Sequence, residues 1–146
     1  MKVNIFNKQT DLPISLRIFK RIAQEVVAFE KHAFDEVTLH FVDIKTISAL
    51  HDQYFFDPSP TDCISFPMDE ADQIGYKVLG EVFICPRVAI DYAEAHCIDP
   101  QTETILYVVH GLLHLMGYDD LETNDEKKMR RAEKKHLKHL HELNFF

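Results

Sequence analysis

The chain has 146 residues, of which 46% are hydrophobic, and this size fits one domain with a single core. Three cysteines without a C-x-x-C pair exclude a disulfide framework and favour a reducing, cytoplasmic location, while the absence of a long apolar run excludes a membrane span. Sixteen Lys and Arg against 24 Asp and Glu give a net charge of −8, which counts against broad electrostatic attraction to nucleic acid. We therefore expect one soluble domain over residues 1–146.

The first half of the chain predicts two strands and two helices. Apolar and polar residues alternate over Val3–Phe6 and again over Glu36–Val42, as is typical of strands. Between them, apolar residues recur at helical spacing from about residue 13 to 31. Asp43 can cap a second helix, which ends before the proline-containing turn Asp57–Pro60.

The middle of the chain predicts a hairpin with a long loop. A strand over Asp62–Phe66 stops at Pro67, which lacks the N–H that a sheet ladder needs. The acidic segment Met68–Gly75 is typical of a solvated connection, and the strand Val78–Cys85 follows it.

Three helices are predicted after the hairpin. One opens at Pro86, and a second is capped by Asp99 and runs to Met116. This second helix is apolar on nearly every face, so we expect it to be the central and most buried one. A charged helix starts at Thr123 or Asn124. Four short strands among about five helices predict an α+β fold, with one small mixed sheet packed against the helices.

The segment that indicates chemistry lies on the central helix. His110 and His114 are four residues apart, so their imidazoles project from the same helix face. Gly117 can adopt a positive φ and end the helix, which lets Asp120 return towards the two rings. Two imidazoles and a carboxylate form a ligand set that zinc accepts in catalytic sites, where the ion acidifies a bound water. The alternative is that both histidines are core residues with ordinary hydrogen-bond partners.

The other histidines do not occur at a sequence spacing typical of metal ligands. His32 and His40 are interpreted as surface or boundary residues, since neither has a partner at useful spacing. Three further histidines lie on the charged C-terminal helix and are interpreted as solvated, although they could hold a second ion: His136, His139 and His141. Glu81 sits in an otherwise apolar strand, so its carboxylate either faces solvent or serves the chemistry.

Three stretches together resemble one known family. The string His110–Asp120, HGLLHLMGYDD, is similar to H-G-x-L-H-L-x-G-Y-D-H of the YbeY family, bacterial metal-dependent endoribonucleases that mature ribosomal RNA. Pro60–Pro67, PTDCISFP, resembles the family's P-T-D-V-L-S-F-P. Leu79–Ile84, LGEVFI, resembles its L-G-D-I-x-I. The order and spacing of the three agree over nearly the whole chain.

The resemblance implies a zincin-like metal helix lying against the sheet below an open cleft. It implies a single-strand-specific endoribonuclease that processes the 3′ end of 16S rRNA and serves ribosome quality control, with the ribosome or small-subunit proteins as partners. His110, His114 and Asp120 would be the ligands of one Zn²⁺. His114 and Glu81 would be the catalytic residues.

Two departures from the family pattern affect the predicted chemistry. Asp120 replaces the family's third His, which lowers the charge on the site and favours a harder ion such as Mn²⁺ as an alternative to Zn²⁺. Phe55 stands where the family usually carries an Arg, and a Phe can stack on a base but cannot clamp a phosphate. Arg87 or Lys77 is a candidate to replace that cation, and Phe55 and Arg87 are the predicted substrate contacts.

Two other functions stay open on the sequence. The residue after His110 is Gly111, whereas a zinc peptidase carries a glutamate there, so peptide hydrolysis is the weaker interpretation. A metal-dependent hydrolase of another bond is one alternative. A non-catalytic ribosome-assembly factor with a structural metal site is the other, and it would explain both Phe55 and the net charge.

Overall fold

The computed structural model describes the whole chain from Met1 to Phe146, and the predicted order of elements is confirmed. The strands are β1 (Lys2–Lys8), β2 (Glu36–Val42), β3 (Cys63–Pro67) and β4 (Val78–Ile84). The helices are α1 (Leu16–Phe29), α2 (Ile44–Phe55), α3 (Pro86–His96), α4 (Pro100–Leu115) and α5 (Thr123–Glu142). No helix combines the length and hydropathy that crossing a lipid bilayer requires.

The four strands form one mixed sheet in the order β1-β2-β4-β3. β1, β2 and β4 run parallel, with α1 crossing over between the first two, whereas β3 pairs antiparallel with β4. The predicted hairpin with a long loop is therefore confirmed, and β3 is one of the two edge strands. The α+β architecture with a small four-stranded sheet and five helices is also confirmed.

α4 is the central helix, as predicted, and ten of its sixteen residues are buried. Its first turn is set by Asp99, whose side chain accepts a hydrogen bond from the Thr102 N–H, and by Pro100 at the first helical position. Gly111 lets the helix lie close to the sheet, because a Cβ at this position would clash with the Val82 side chain of β4. The Ser65 hydroxyl of β3 donates to the Gly111 carbonyl at 2.9 Å.

The opposite face of the sheet carries aromatic rings and a histidine that is hydrogen-bonded to a carboxylate. His40 stacks between Phe6 and Phe83, at ring-centroid distances of 5.2 and 4.2 Å. Its Nε2 lies 2.8 Å from the Glu81 carboxylate. His40 is half-buried, as predicted for a boundary residue, and its hydrogen-bond partner Glu81 comes from another strand rather than from nearby sequence.

The prediction that all three C-terminal histidines are solvated is wrong for His136. Its side chain is 1% exposed and lies on the inner face of α5, with Nε2 3.3 Å from the Glu30 carboxylate. The Phe29 ring meets it edge-on, at 5.0 Å between centroids. His136 follows Met129 and Ala132 at helical spacing along the buried face. A helix rich in charged residues therefore still packs a narrow inner face against the core.

Candidate metal centre

The structure brings His110, His114 and Asp120 together. Nε2 of His110 lies 3.0 Å from Nε2 of His114, and Oδ2 of Asp120 lies 3.6 and 3.5 Å from these two atoms. All three side chains are half-buried, and one ligand atom from each falls within 4.8 Å of the other two. Ligands at about 2.0 to 2.2 Å from a tetrahedral zinc are separated by roughly 3.3 Å. The spacing in this group therefore suits a single small cation.

The other nitrogen of each imidazole has its own acceptor. Nδ1 of His110 lies 2.8 Å from a carboxylate oxygen of Glu133 on α5, and Nδ1 of His114 lies 2.9 Å from the carbonyl oxygen of Tyr118. A carboxylate and a carbonyl only accept hydrogen bonds, so both Nδ1 atoms carry the proton. In the neutral imidazoles the two Nε2 atoms therefore present lone pairs to each other. A divalent cation satisfies both, and the donor set fits one.

Asp120 reaches the imidazoles because of the turn that ends α4. The N–H groups of Gly117 and Tyr118 donate to the carbonyls of His114 and Leu113, at 3.1 and 3.0 Å. Gly117 has φ of 102°, which confirms the predicted positive φ and reverses the chain direction. The same turn points the Tyr118 carbonyl at His114. One short segment thus fixes an imidazole and supplies a carboxylate.

The group lies in a cleft of about 360 Å³. β3 forms one wall through Cys63 and Ser65, and α2 contributes His51 and Phe55. Phe55 is 56% exposed, so its ring is available to a ligand in the cleft. Nδ1 of His51 is bonded to the Ser59 carbonyl at 2.8 Å. The predicted open cleft is therefore present, with the edge strand along its side.

Charged partners tune His110. Burial disfavours its protonated form, but the hydrogen bond and charge of Glu133, together with the charges of Asp62 and Asp120, outweigh burial and raise the pKa of His110. Burial likewise opposes ionisation of Glu133, yet hydrogen bonds from His110 and Arg130 lower the pKa of this carboxyl group. Glu133 is thus an anion at neutral pH. A carboxylate behind a metal-ligating imidazole orients the ring and increases its basicity.

Cys63 lines the cleft as a thiol whose ionisation is disfavoured by its surroundings. Burial, together with the nearby carboxylates of Asp62, Glu133 and Asp120, raises the pKa of its thiol well above the usual range. The sulfur therefore stays protonated and neutral at physiological pH.

Two predicted site residues lie away from the cleft. Glu81 is on the face of the sheet opposite to α4, since the neighbouring Val82 is the residue that meets Gly111, and its carboxylate is bonded to His40. Glu81 is therefore on the wrong side of the sheet for a direct catalytic role. Arg87 is bonded to Asp91 at 2.8 Å and lies 3.8 Å from Asp11, so it does not replace the missing cation. Phe55 does line the cleft.

Lys77 does not replace the cation either. Its ammonium donates to the Ala71 carbonyl at 2.7 Å and lies over the Phe34 ring. Both Lys77 and Arg87 thus bind acceptors outside the cleft, and neither supplies a positive charge to it.

Two residues of the centre were missed from sequence. Glu133 is not among the residues predicted from the sequence, although it is 4% exposed and lies on the same inner face of α5 as Met129 and His136. A carboxylate at a core-facing helical position was the available signal. His51 lies four residues before Phe55, so the sequence predicts that the two side chains share one face of α2. Only the fold shows that both line the same cleft as the two imidazoles.

Comparison with known proteins identifies the family. The family model described as endoribonuclease YbeY matches residues 4–141. The chain belongs to the YbeY family of endoribonucleases. YbeY enzymes are RNA-cleaving hydrolases by this description, which confirms the family and the enzyme class expected from the three motifs.

Individual relatives cover almost the full chain. An endoribonuclease YbeY of Protochlamydia amoebophila is 53% identical over 144 residues, covering 99% of this chain and 96% of the relative. One of Chlamydia abortus is 37% identical over 141 residues, covering 94% and 89%. The solution structure of a Thermotoga maritima protein has a similar fold, with a TM-score of 0.63, 25% identity, and coverage of 92% of this chain and 86% of that one.

Proposed function

We propose that this protein is a single-strand-specific, metal-dependent endoribonuclease that cleaves in the cleft above α4. Family membership supports cleavage of RNA phosphodiester bonds. The group of two imidazoles and one carboxylate supports the dependence of this cleavage on a metal. His110, His114 and Asp120 are the proposed ligands. The observation that carries the proposal is the 3.0 Å approach of two Nε2 atoms whose rings are each fixed through Nδ1.

Zn²⁺ is the proposed ion, with Mn²⁺ as the alternative because Asp120 adds an oxygen ligand. When bound, such an ion supplies an acidified water and polarises a phosphoryl oxygen. The residues of the chain orient the ligands and set the charge of the site. Glu133 and the Tyr118 carbonyl hold the two rings in one tautomer, and Asp120 offsets one unit of positive charge.

The geometry favours phosphodiester over peptide hydrolysis. A zinc peptidase places a glutamate directly after its first histidine, whereas here Gly111 lies against Val82 with no space for any side chain. A carboxylate base could not occupy this position without displacing α4 from the sheet. Among the side chains that line the cleft, we assign direct contact with the reacting centre to His114 and stacking on a base to Phe55.

The biological role proposed from the family resemblance is the processing of ribosomal RNA in the cytoplasm. The substrate would be single-stranded rRNA at the 3′ end of 16S rRNA, and the partners would be the ribosome or small-subunit proteins. Ribosome quality control is the second role that we propose for the same activity. Extended single-stranded RNA suits a cleft that is open to solvent and flanked by an exposed aromatic ring.

Labelled single-stranded RNA tests the proposal, with the protein loaded with Zn²⁺ or Mn²⁺ and with a chelator in parallel. Lewis-acid assistance amounts to several kcal/mol, so we expect His114→Ala to lower the cleavage rate by at least about 1,000-fold. His141→Ala, at an exposed histidine on α5, is the matched control and should cleave like the wild type.

Two results would contradict the proposal. Cleavage that survives the chelator, or equal rates for His114→Ala and His141→Ala, would exclude a metal-dependent enzyme at this centre. Ribosome binding without any RNA cleavage would instead favour the assembly factor. Cleavage of a peptide library would favour a hydrolase of another bond.

A further inference from the structure

Positive charge is concentrated on α5. This helix holds seven of the chain's sixteen Lys and Arg but only four of its 24 Asp and Glu. The rest of the molecule is therefore strongly acidic, and α5 is the basic region of an acidic protein. Any polyanion that binds must overcome the net charge of −8, and the excess of cations over carboxylates on α5 favours binding there.

Three of these cations form one row, which we name the α5 stripe: Lys127, Arg131 and Lys134. They follow the i, i+4, i+7 spacing, so they share one face of the helix over about 10 Å. All three are exposed, and none is within ion-pair distance of a carboxylate. They flank a shallow groove of about 500 Å³ that has no hydrophobic lining residue.

The groove is connected to the metal centre. Arg130 lines both this groove and a neighbouring cavity of about 700 Å³, whose wall includes His110 and Thr61. His110 and Thr61 in turn line the cleft of the metal centre. The three depressions therefore adjoin one another, from the cleft past His110 and Arg130 to the α5 stripe, and the middle one is also lined by carboxylates, including that of Glu133.

Arg130 has a different role from the stripe. Its guanidinium is bonded to both oxygens of Glu133, at 2.7 and 2.9 Å, and Glu133 orients His110. These bonds and nearby Asp120 neutralise much of its charge locally. The three stripe cations have no such partners, so their charge is available to a ligand.

We propose that the α5 stripe binds the sugar-phosphate backbone of the RNA strand whose scissile bond lies in the cleft. The inference rests on the proposed endoribonuclease function and extends it with a second, sequence-independent contact region. Lys and Arg contact phosphates regardless of base, so the stripe would contribute affinity rather than sequence selectivity. It would also supply cations in a protein that has Phe55 where the family usually has an Arg.

The test is binding of a labelled 20-nucleotide single-stranded RNA in the presence of chelator, so that cleavage does not interfere. The stripe variant carries Lys127→Gln, Arg131→Gln and Lys134→Gln. Since each phosphate contact on a single strand contributes about 0.7 to the slope of log affinity against log salt, the loss of three should lower the slope by about 2. We expect at least about tenfold weaker binding at 50 mM salt.

The matched control removes the same charge elsewhere, by Lys8→Gln, Arg17→Gln and Lys20→Gln on β1 and α1, all exposed positions. Its salt slope should stay near that of the wild type. Equal slopes and affinities for the two triple variants would overturn the inference, because they would mean that only net charge matters. Wild-type binding to phosphatidylserine vesicles but not to RNA would overturn it as well.

This test is independent of the cleavage assay. Failure of the metal-dependent cleavage, with RNA binding still dependent on the stripe, would refute the proposed function alone. Normal cleavage with stripe-independent binding would refute this inference alone.

Discussion

α4 and α5 both reach the His110 imidazole, but they differ in composition and in what they contribute. α4 is buried on most of its surface and supplies two ligands from one face. α5 is highly charged, and supplies the Glu133 carboxylate to Nδ1 of His110 from its inner face while its cations face solvent. Ligand positions are therefore fixed by close packing, whereas the charge around them is set by an amphipathic surface helix.

The difference indicates which helix tolerates change. A shift of α4 moves both imidazoles at once, because both lie on this helix. Such a shift is needed for any larger residue at position 111, since Gly111 packs directly against Val82 of the sheet. α5 can exchange its outward side chains without moving Glu133, since that carboxylate is held by His110 and Arg130. Substitutions on the two helices should thus have separable effects on stability and on metal affinity.

The largest effect is expected from filling the contact between α4 and the sheet. Gly111→Ala places a methyl group against Val82, and overpacking of this kind lowers the free energy of unfolding by about 1 to 3 kcal/mol. Urea denaturation measures the change. In the double variant with Val82→Ala the loss should be smaller than the sum of the two single losses, and strict additivity would show that these residues are not in contact.

The next effect concerns the carboxylate that α5 supplies. Glu133→Gln keeps the size of the side chain but removes the charge behind His110, and loss of such an outer-shell partner lowers metal affinity by about 10- to 100-fold. Competition with a chromophoric chelator at constant pH measures this affinity. Glu142→Gln, at an exposed position of the same helix, should bind the metal like the wild type. Equal affinities for both variants would mean that Glu133 does not orient the ligand.

The smallest effect is the pH dependence that His136 gives to stability. Burial lowers the pKa of His136 below its ordinary value of about 6.5, although Glu30 opposes this, while His139 and Lys135 act in the same direction as burial. The unfolded chain therefore binds more protons at this residue. Its contribution to stability is fully present above about pH 6.5 and is lost as the pH falls towards the folded-state pKa.

Comparing denaturation at pH 7.5 and 5.5 checks this sign. His136→Phe should reduce the loss of stability between the two values by on the order of 1 kcal/mol or less. The same change at exposed His141 should leave the pH dependence as in the wild type. A steeper loss in His136→Phe would show that the wild-type residue is charged in the folded state.

Local sequence signals predicted the elements and the ligand group. Each of these signals depends only on residues close by in sequence. They are the alternation in Glu36–Val42, the Asp99 cap with Pro100, and Gly117 after the two histidines. The structure has the expected strand, helix start and turn. The i, i+4 spacing of His110 and His114 likewise places both rings on one face of α4, and their hydrogen bonds through Nδ1 set the final approach.

The missed features depend on pairs far apart in sequence. Glu81 was assigned to the site because a carboxylate in an apolar strand is unusual, but its partner His40 comes from a strand 41 residues away. Glu133 was missed because it is 23 residues from His110 and surrounded by cations. Only the packing of strand on strand and helix on helix creates these pairs, and no local pattern encodes them.

The separation of charge between α5 and the acidic remainder of the molecule also bears on kinetics. A polyanion diffusing towards most faces of the protein meets repulsion, while one arriving on the side of α5 is attracted, so collisions are steered into one orientation. Productive encounters would then be selected by the direction of approach before any contact forms. Raising the ionic strength should slow association more than it speeds release.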